Sequence, residues 1–153
     1  MATSPLETIT ELRELTGMGL MDIKKAVDEA GGDRGKALEL LKERGAHLMA
    51  KKSDRAVGEG VIEAYVHAGR IGVLVEVNCE TDFVARAELF KEFAHDLALQ
   101  ISSMAPESVE ELLAQDFIKD TKLTIADYLQ ATTAKVGERI VVKRFSRFVL
   151  GQD

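Results

Sequence analysis

Asn78-Cys79-Glu80-Thr81-Asp82-Phe83-Val84-Ala85-Arg86 joins the two most legible elements of this chain. Ahead of it, Ile71, Val73, Val75, Val77 and Cys79 alternate with Leu74, Glu76 and Asn78, the period of a strand. Behind it, Phe83, Phe90, Ala94, Leu97, Ile101 and Met104 recur at steps of seven, four and three, the period of a helix. The run is predicted to be a strand-to-helix corner, with Thr81 capping the helix and Asp82 in its first turn. Such a corner offers a carboxylate and a large aromatic ring on a rigid base. That arrangement suits a wedge for another protein better than it suits catalysis.

Working outward, Val61 to His67 and Ile71 to Cys79 read as a hairpin turning through Ala68-Gly69-Arg70. The helix after the corner is expected from about Thr81 to Ser103, closed by Pro106, and the stretch to Lys122 is acidic and weakly periodic. Thr124-Ile125-Ala126-Asp127 opens a further helix that carries Leu129 and Val136 and stops at Gly137. Ile140 to Leu150 reads as a third strand, with a bulge or an exposed edge at Lys143-Arg144. Toward the N-terminus, Ser4-Pro5-Leu6-Glu7 is a capping box, and its helix ends at Thr16-Gly17. A second helix carries Leu20, Ile23, Ala26 and Val27 to Gly31-Gly32, and a third runs from Asp33 to Gly45. The expected class is α+β: a three-helix bundle over residues 1–46, a linker over 47–60, and a core over 61–153 with a small three-stranded antiparallel sheet packed with helices.

Composition narrows the function classes. Hydrophobic residues make up 46% and charged residues 30% of 153, which describes a folded, water-soluble chain. No stretch reaches the roughly 18 apolar residues of a membrane span, and the start has neither the basic nor the apolar run of a signal peptide. A single cysteine, Cys79, fits a reducing compartment and therefore the cytoplasm. A net charge of -6 argues against direct nucleic-acid binding. Lys51, Lys52 and Arg55 in the linker read as solvated charges. Gly31 to Ala37 lacks the length, the hydroxyl residue and the preceding strand of a phosphate loop. His47, His67 and His95 have no metal-ligand spacing, and Cys79 has no neighbouring cation to activate it. The expectation is a protein with no catalytic residues, no metal and no cofactor.

Four segments, LRELTGMGLMDIKKAV, AKKSDRAVGEG, NCETDFVAR and VGERIVVKRFSRF, resemble in order those of the bacterial elongation factor Ts family, from about Leu6 to Leu150. Members of that family are guanine-nucleotide exchange factors of the translational GTPase elongation factor Tu. The resemblance implies that residues 1–46 form a ubiquitin-associated-like module. It also implies that Thr81, Asp82, Phe83 and Val84 enter the GTP-binding domain of the partner and displace its Mg²⁺, and that Met18, Gly19, Leu20 and Met21 grip a helix of that domain. The residues alone leave another reading open, with Phe83 starting the apolar stripe of its own helix and Leu20 and Met21 filling the small bundle.

Many members of the family are longer, with a second core half, whereas here only about seventeen residues, Pro106 to Lys122, separate the long helix from the next. Three strands with one helical layer leave a sheet face uncovered. Some of Val73, Val75, Ile140 and Val142 are expected on that face, joining two copies as a homodimer. The rival reading is an adaptor that binds a ubiquitin-like or ribosomal partner through its bundle, which leaves the corner without a role.

Overall fold

The computed structural model describes residues 4–153; Met1 to Thr3, the head of the unit expected over residues 1–46, lie outside the described residues. Helix α1, Pro5–Thr16, begins on the expected capping box: Ser4 Oγ accepts from the Glu7 N–H, and the Glu7 carboxylate accepts from the Ser4 N–H. It ends at Gly17 in the left-handed conformation, φ 65°. Helix α2 spans Leu20–Glu29, and α3, capped by Asp33, spans Arg34–Lys52. Leu12, Met18, Ile23, Ala26, Ala37 and Leu41 close the space between these helices.

Helix α3 does not stop at Gly45 as the sequence suggests but continues for seven further residues. The physical reason lies across the chain in helix α7, Ile125–Val136. A Cβ on Gly45 would fall 2.2 Å from Gln130 Nε2, and that amide donates to the Lys42 carbonyl at 2.8 Å. Gly45 is a point of close approach between α3 and α7, not a terminator.

Strands β1, Glu59–His67, and β2, Ile71–Cys79, form the hairpin, whose turn places Ala68 and Gly69 at φ 51° and 68°. Strand β5, Val141–Val149, adds to β2, giving an antiparallel sheet in the order β1-β2-β5. Val77 faces Val142 and Glu76 faces Arg144, so Lys143 is the extra residue of a bulge at the expected place. Alternation along β2 turns Val73, Val75, Val77 and Cys79 into the core with Phe90, Phe93, Ala94, Leu97 and Ile101. The uncovered face is therefore not made by Val73, Val75, Ile140 and Val142, all of which are buried. Ile62, Val66, Leu74 and Phe148 form it instead, beside a Glu76–Arg144 ion pair.

The corner helix also differs from its expected form. It is two helices, α4 at Asp82–Ala85 and α5 at Glu88–Met104, with Ala87 in an extended conformation between them. The break removes Phe83 from the buried stripe that Phe90 begins. Past Pro106, the weakly periodic segment contains helix α6, Val109–Ala114, and a two-stranded ribbon of β3, Asp116–Phe117, and β4, Asp120–Thr124. This ribbon is held from outside itself. Buried Gln100 of α5 donates to the Asp116 carbonyl and accepts from the Ile118 N–H, and Lys119 pairs with buried Asp96 at 2.6 Å. The class is α+β, with seven helices and a three-stranded antiparallel sheet among the described residues.

Candidate functional site

Thr81 lies two residues past the end of β2 and caps α4, so one residue carries the geometry of the corner. Its extended backbone lets Oγ1 accept from the Val84 N–H at 3.3 Å, which is the predicted cap. The Thr81 N–H and hydroxyl both donate to the carboxylate of Glu138, at 3.0 and 2.7 Å. Asp82 stands in the first turn and pairs with Arg86 one turn on, both largely exposed. Val84 and Ala85 turn inward and are 6% exposed.

Phe83 points the other way and is 82% exposed. A phenyl ring left in water on a short, anchored helix is not core, so the structure removes the reading in which Phe83 fills the stripe of its own helix. Beneath the corner, Cys79 is fully buried, and its Sγ–H donates to the Thr81 carbonyl at 3.2 Å. Burial, and secondarily the Glu138 carboxylate, pushes the thiol up to about 11, so it is a neutral packing group.

The second group of predicted residues divides. Met18 is 4% exposed and belongs to the small bundle core, and Gly19 is the N-cap of α2. Leu20 and Met21 turn outward, at 41% and 76% exposure. Met18 and Gly19 thus frame α2, while Leu20 and Met21 are the side chains that reach solvent.

Sequence reasoning missed Glu80, Glu138 and Arg139. Glu80 accepts from the Arg139 N–H at 2.7 Å and from Arg55 at 3.3 Å, and these bonds hold its carboxyl below the ordinary carboxylate range. The available signal was the position of Glu138, directly after the helix-ending Gly137 of α7 (φ 75°). The residue after a left-handed cap leaves the helix sideways, here toward the corner. Among the described residues, no three His, Cys, Asp or Glu side chains come together to hold a metal ion. No helix among them is long and apolar enough to cross a membrane.

Residues 80–153 match the model of a family described as Elongation factor TS. The chain is 44% identical to Elongation factor Ts of Rubrobacter xylanophilus, over 98% of this chain and 100% of that protein. It is 41% identical to that of Carboxydothermus hydrogenoformans, over 95% and 88%, and 40% identical to that of Desulfitobacterium hafniense, over 99% and 91%. The Rubrobacter alignment runs over 196 positions against 153 residues here, so at least 43 positions of the relative have no counterpart in this chain.

Proposed function

Since the chain belongs to the elongation factor Ts family, we propose that it releases GDP from elongation factor Tu by inserting the Thr81–Val84 corner beside the Mg²⁺ and nucleotide of that GTPase. The family gives it a role in translation elongation. The observation that carries the finer reading is Phe83, exposed at 82% on a helix whose opposite side is locked into the core. Sinking that ring into an apolar gap of the partner contributes roughly 1.5–3 kcal/mol. Mg²⁺ bridges the nucleotide phosphates to a GTPase, so disturbing its ligands removes the largest local charge holding the nucleotide. Asp82 is available for polar contacts there, because an exposed pair such as Asp82–Arg86 is worth only about 0–1 kcal/mol and is readily exchanged.

Residues 1–46 supply the second grip through Leu20 and Met21, with Met18 and Gly19 fixing the helix that carries them. Residues 47–60 connect this grip to the core over 61–153. Linkage makes the cycle run: a factor that weakens nucleotide binding is itself weakened by nucleotide in the same ratio, so abundant GTP displaces it. No bond is made or broken on its own groups, it needs no cofactor, and it works in the cytoplasm.

The exposed apolar face of the sheet, Ile62, Val66, Leu74 and Phe148, supports a homodimer joined sheet to sheet. Sedimentation at micromolar concentration tests it, and a stable, fully active monomer rejects it.

The exchange reading is tested by release of a fluorescent GDP analogue from elongation factor Tu in millimolar Mg²⁺. Substoichiometric amounts of the protein are expected to accelerate release. Phe83→Ala is expected to abolish most of the acceleration while changing stability by no more than about 0.5 kcal/mol, as for an exposed side chain. Full acceleration by that variant rejects the wedge.

A further inference from the structure

We propose that Glu138 is a positioning residue for nucleotide exchange, whose carboxylate sets the Thr81 cap and thereby aims Asp82 and Phe83. The inference rests on the reading of the corner given above. Helix α4 has four residues, too few to hold its shape unaided. Val84 and Ala85 anchor its inner side in the core, but Thr81, Asp82 and Phe83 are all exposed, so packing does not set their direction.

Glu138 does. One carboxylate oxygen accepts from the Thr81 N–H at 3.0 Å, and the other accepts from the Thr81 hydroxyl at 2.7 Å. With its proton committed to Glu138, the hydroxyl turns a lone pair to the Val84 N–H at 3.3 Å. Bonds to an ionised carboxylate are roughly twice as strong as neutral ones. The cap rotamer is thus chosen from outside the corner, by the residue that follows Gly137 at the end of α7.

Glu80 answers from the other side, accepting from the Arg139 N–H at 2.7 Å. Two adjacent residues on each segment therefore exchange carboxylate-to-amide bonds, Glu80 and Thr81 with Glu138 and Arg139. Without Glu138, the Glu80–Arg139 bond and the packing of Val84 still hold α4 against the sheet. What is lost is the fixed direction of its exposed front. A misplacement of about 1 Å at a working group is enough to lower a rate by as much as about 10²-fold. The effect therefore belongs to the exchange step and not to capture of the partner, which Leu20 and Met21 serve from another surface.

The test measures GDP-analogue release from elongation factor Tu against concentration of the full chain, yielding a plateau rate and a half-saturating concentration. Glu138→Ala is expected to lower the plateau about tenfold while leaving half-saturation within about twofold, since orientation and not contact is lost. Glu138→Gln retains an acceptor for the Thr81 N–H but offers the hydroxyl an N–H in place of an acceptor, and is expected to recover only part of the plateau. An unchanged plateau in Glu138→Ala, or an equal fall in both variants, overturns the proposal. If Glu138→Ala melts below the assay temperature, Glu138→Asp, which keeps the charge but draws the carboxylate back from Thr81, replaces it under the same criteria. Phe83→Ala, run alongside, separates the two ideas. Full exchange by that variant rejects the wedge itself, whereas its failure beside an intact Glu138→Ala rejects only the role of Glu138.

Discussion

Among the described residues, the three N-terminal helices close around six buried apolar side chains, two of them alanines, whereas the sheet with its helices closes around eighteen that include Phe90, Phe93 and Phe117. The smaller unit hides little surface, and it leans on α7: Ala134 packs into its cluster, Lys42 pairs with Asp127, and Gln130 reaches the Lys42 carbonyl. The larger unit has apolar surface in excess. It leaves a phenylalanine in water on one corner and a row of aliphatic and aromatic side chains on one sheet face. The two proposed grips therefore stand on unequal foundations, a strong core that displays Phe83 and a weak bundle that displays Met21 from a borrowed support.

The strongest way to break this contrast is Phe93→Ala, which opens the larger core at a fully buried ring. A loss of about 3–5 kcal/mol is expected in urea unfolding, with both units lost together because α7 belongs to the packing of each. A loss under about 1 kcal/mol, or a bundle that survives the core, contradicts the account.

Gly17→Ala sharpens the contrast at the seam. An added Cβ falls 2.5 Å from the Ala131 carbonyl oxygen, a backbone atom, at a φ of 65° that disfavours side chains. Strain of about 1–3 kcal/mol is expected. In hydrogen exchange, the amides of α1 and α2 should lose protection while those of β2 and α5 keep theirs. Equal loss in both units would mean that the core depends on the bundle as much as the bundle depends on the core.

The smallest effect concerns the clasp at the corner. The Arg139 N–H, and after it Arg55, lowers the Glu80 carboxyl from its ordinary 4.5. A carboxyl lowered on folding stabilises the folded state above its unfolded value and stops doing so as pH falls through the folded value. The Arg139 amide resonance should therefore hold its position down to below pH 4.5 and move only in more acid solution. A midpoint at or above that value would show that the bond does not persist in solution.

What the sequence made legible were features whose cause is local. Capping boxes at Ser4 and Thr124, the stops at Gly17 and Gly137, the alternation of β2 and the Thr81 cap all depend on neighbours within a few residues, and the structure contains each of them. The features that stayed hidden have distant causes. Gly45 resembles a stop because its partner, Gln130, lies far along the chain. The ribbon of β3 and β4 has no periodicity of its own and exists because Gln100 and Asp96 hold it. The break at Ala87 has neither proline nor glycine to announce it, and the seven-residue step from Phe83 to Phe90 conceals it. Exposure of the candidate wedge depended on that break, so the spacing that suggested a continuous helix also suggested the wrong environment for its first aromatic ring.

The buried thiol of Cys79 has a practical consequence for measuring all of this. A neutral sulfhydryl with no exposed surface, raised to about 11, is inert toward maleimide dyes near neutral pH. The natural chain is therefore chemically silent to thiol labelling while folded. A cysteine introduced at Met21 or Arg86 would be the sole reactive position among the described residues. A fluorophore placed there would report docking of either unit in real time, and sudden labelling of Cys79 would register unfolding as a built-in alarm.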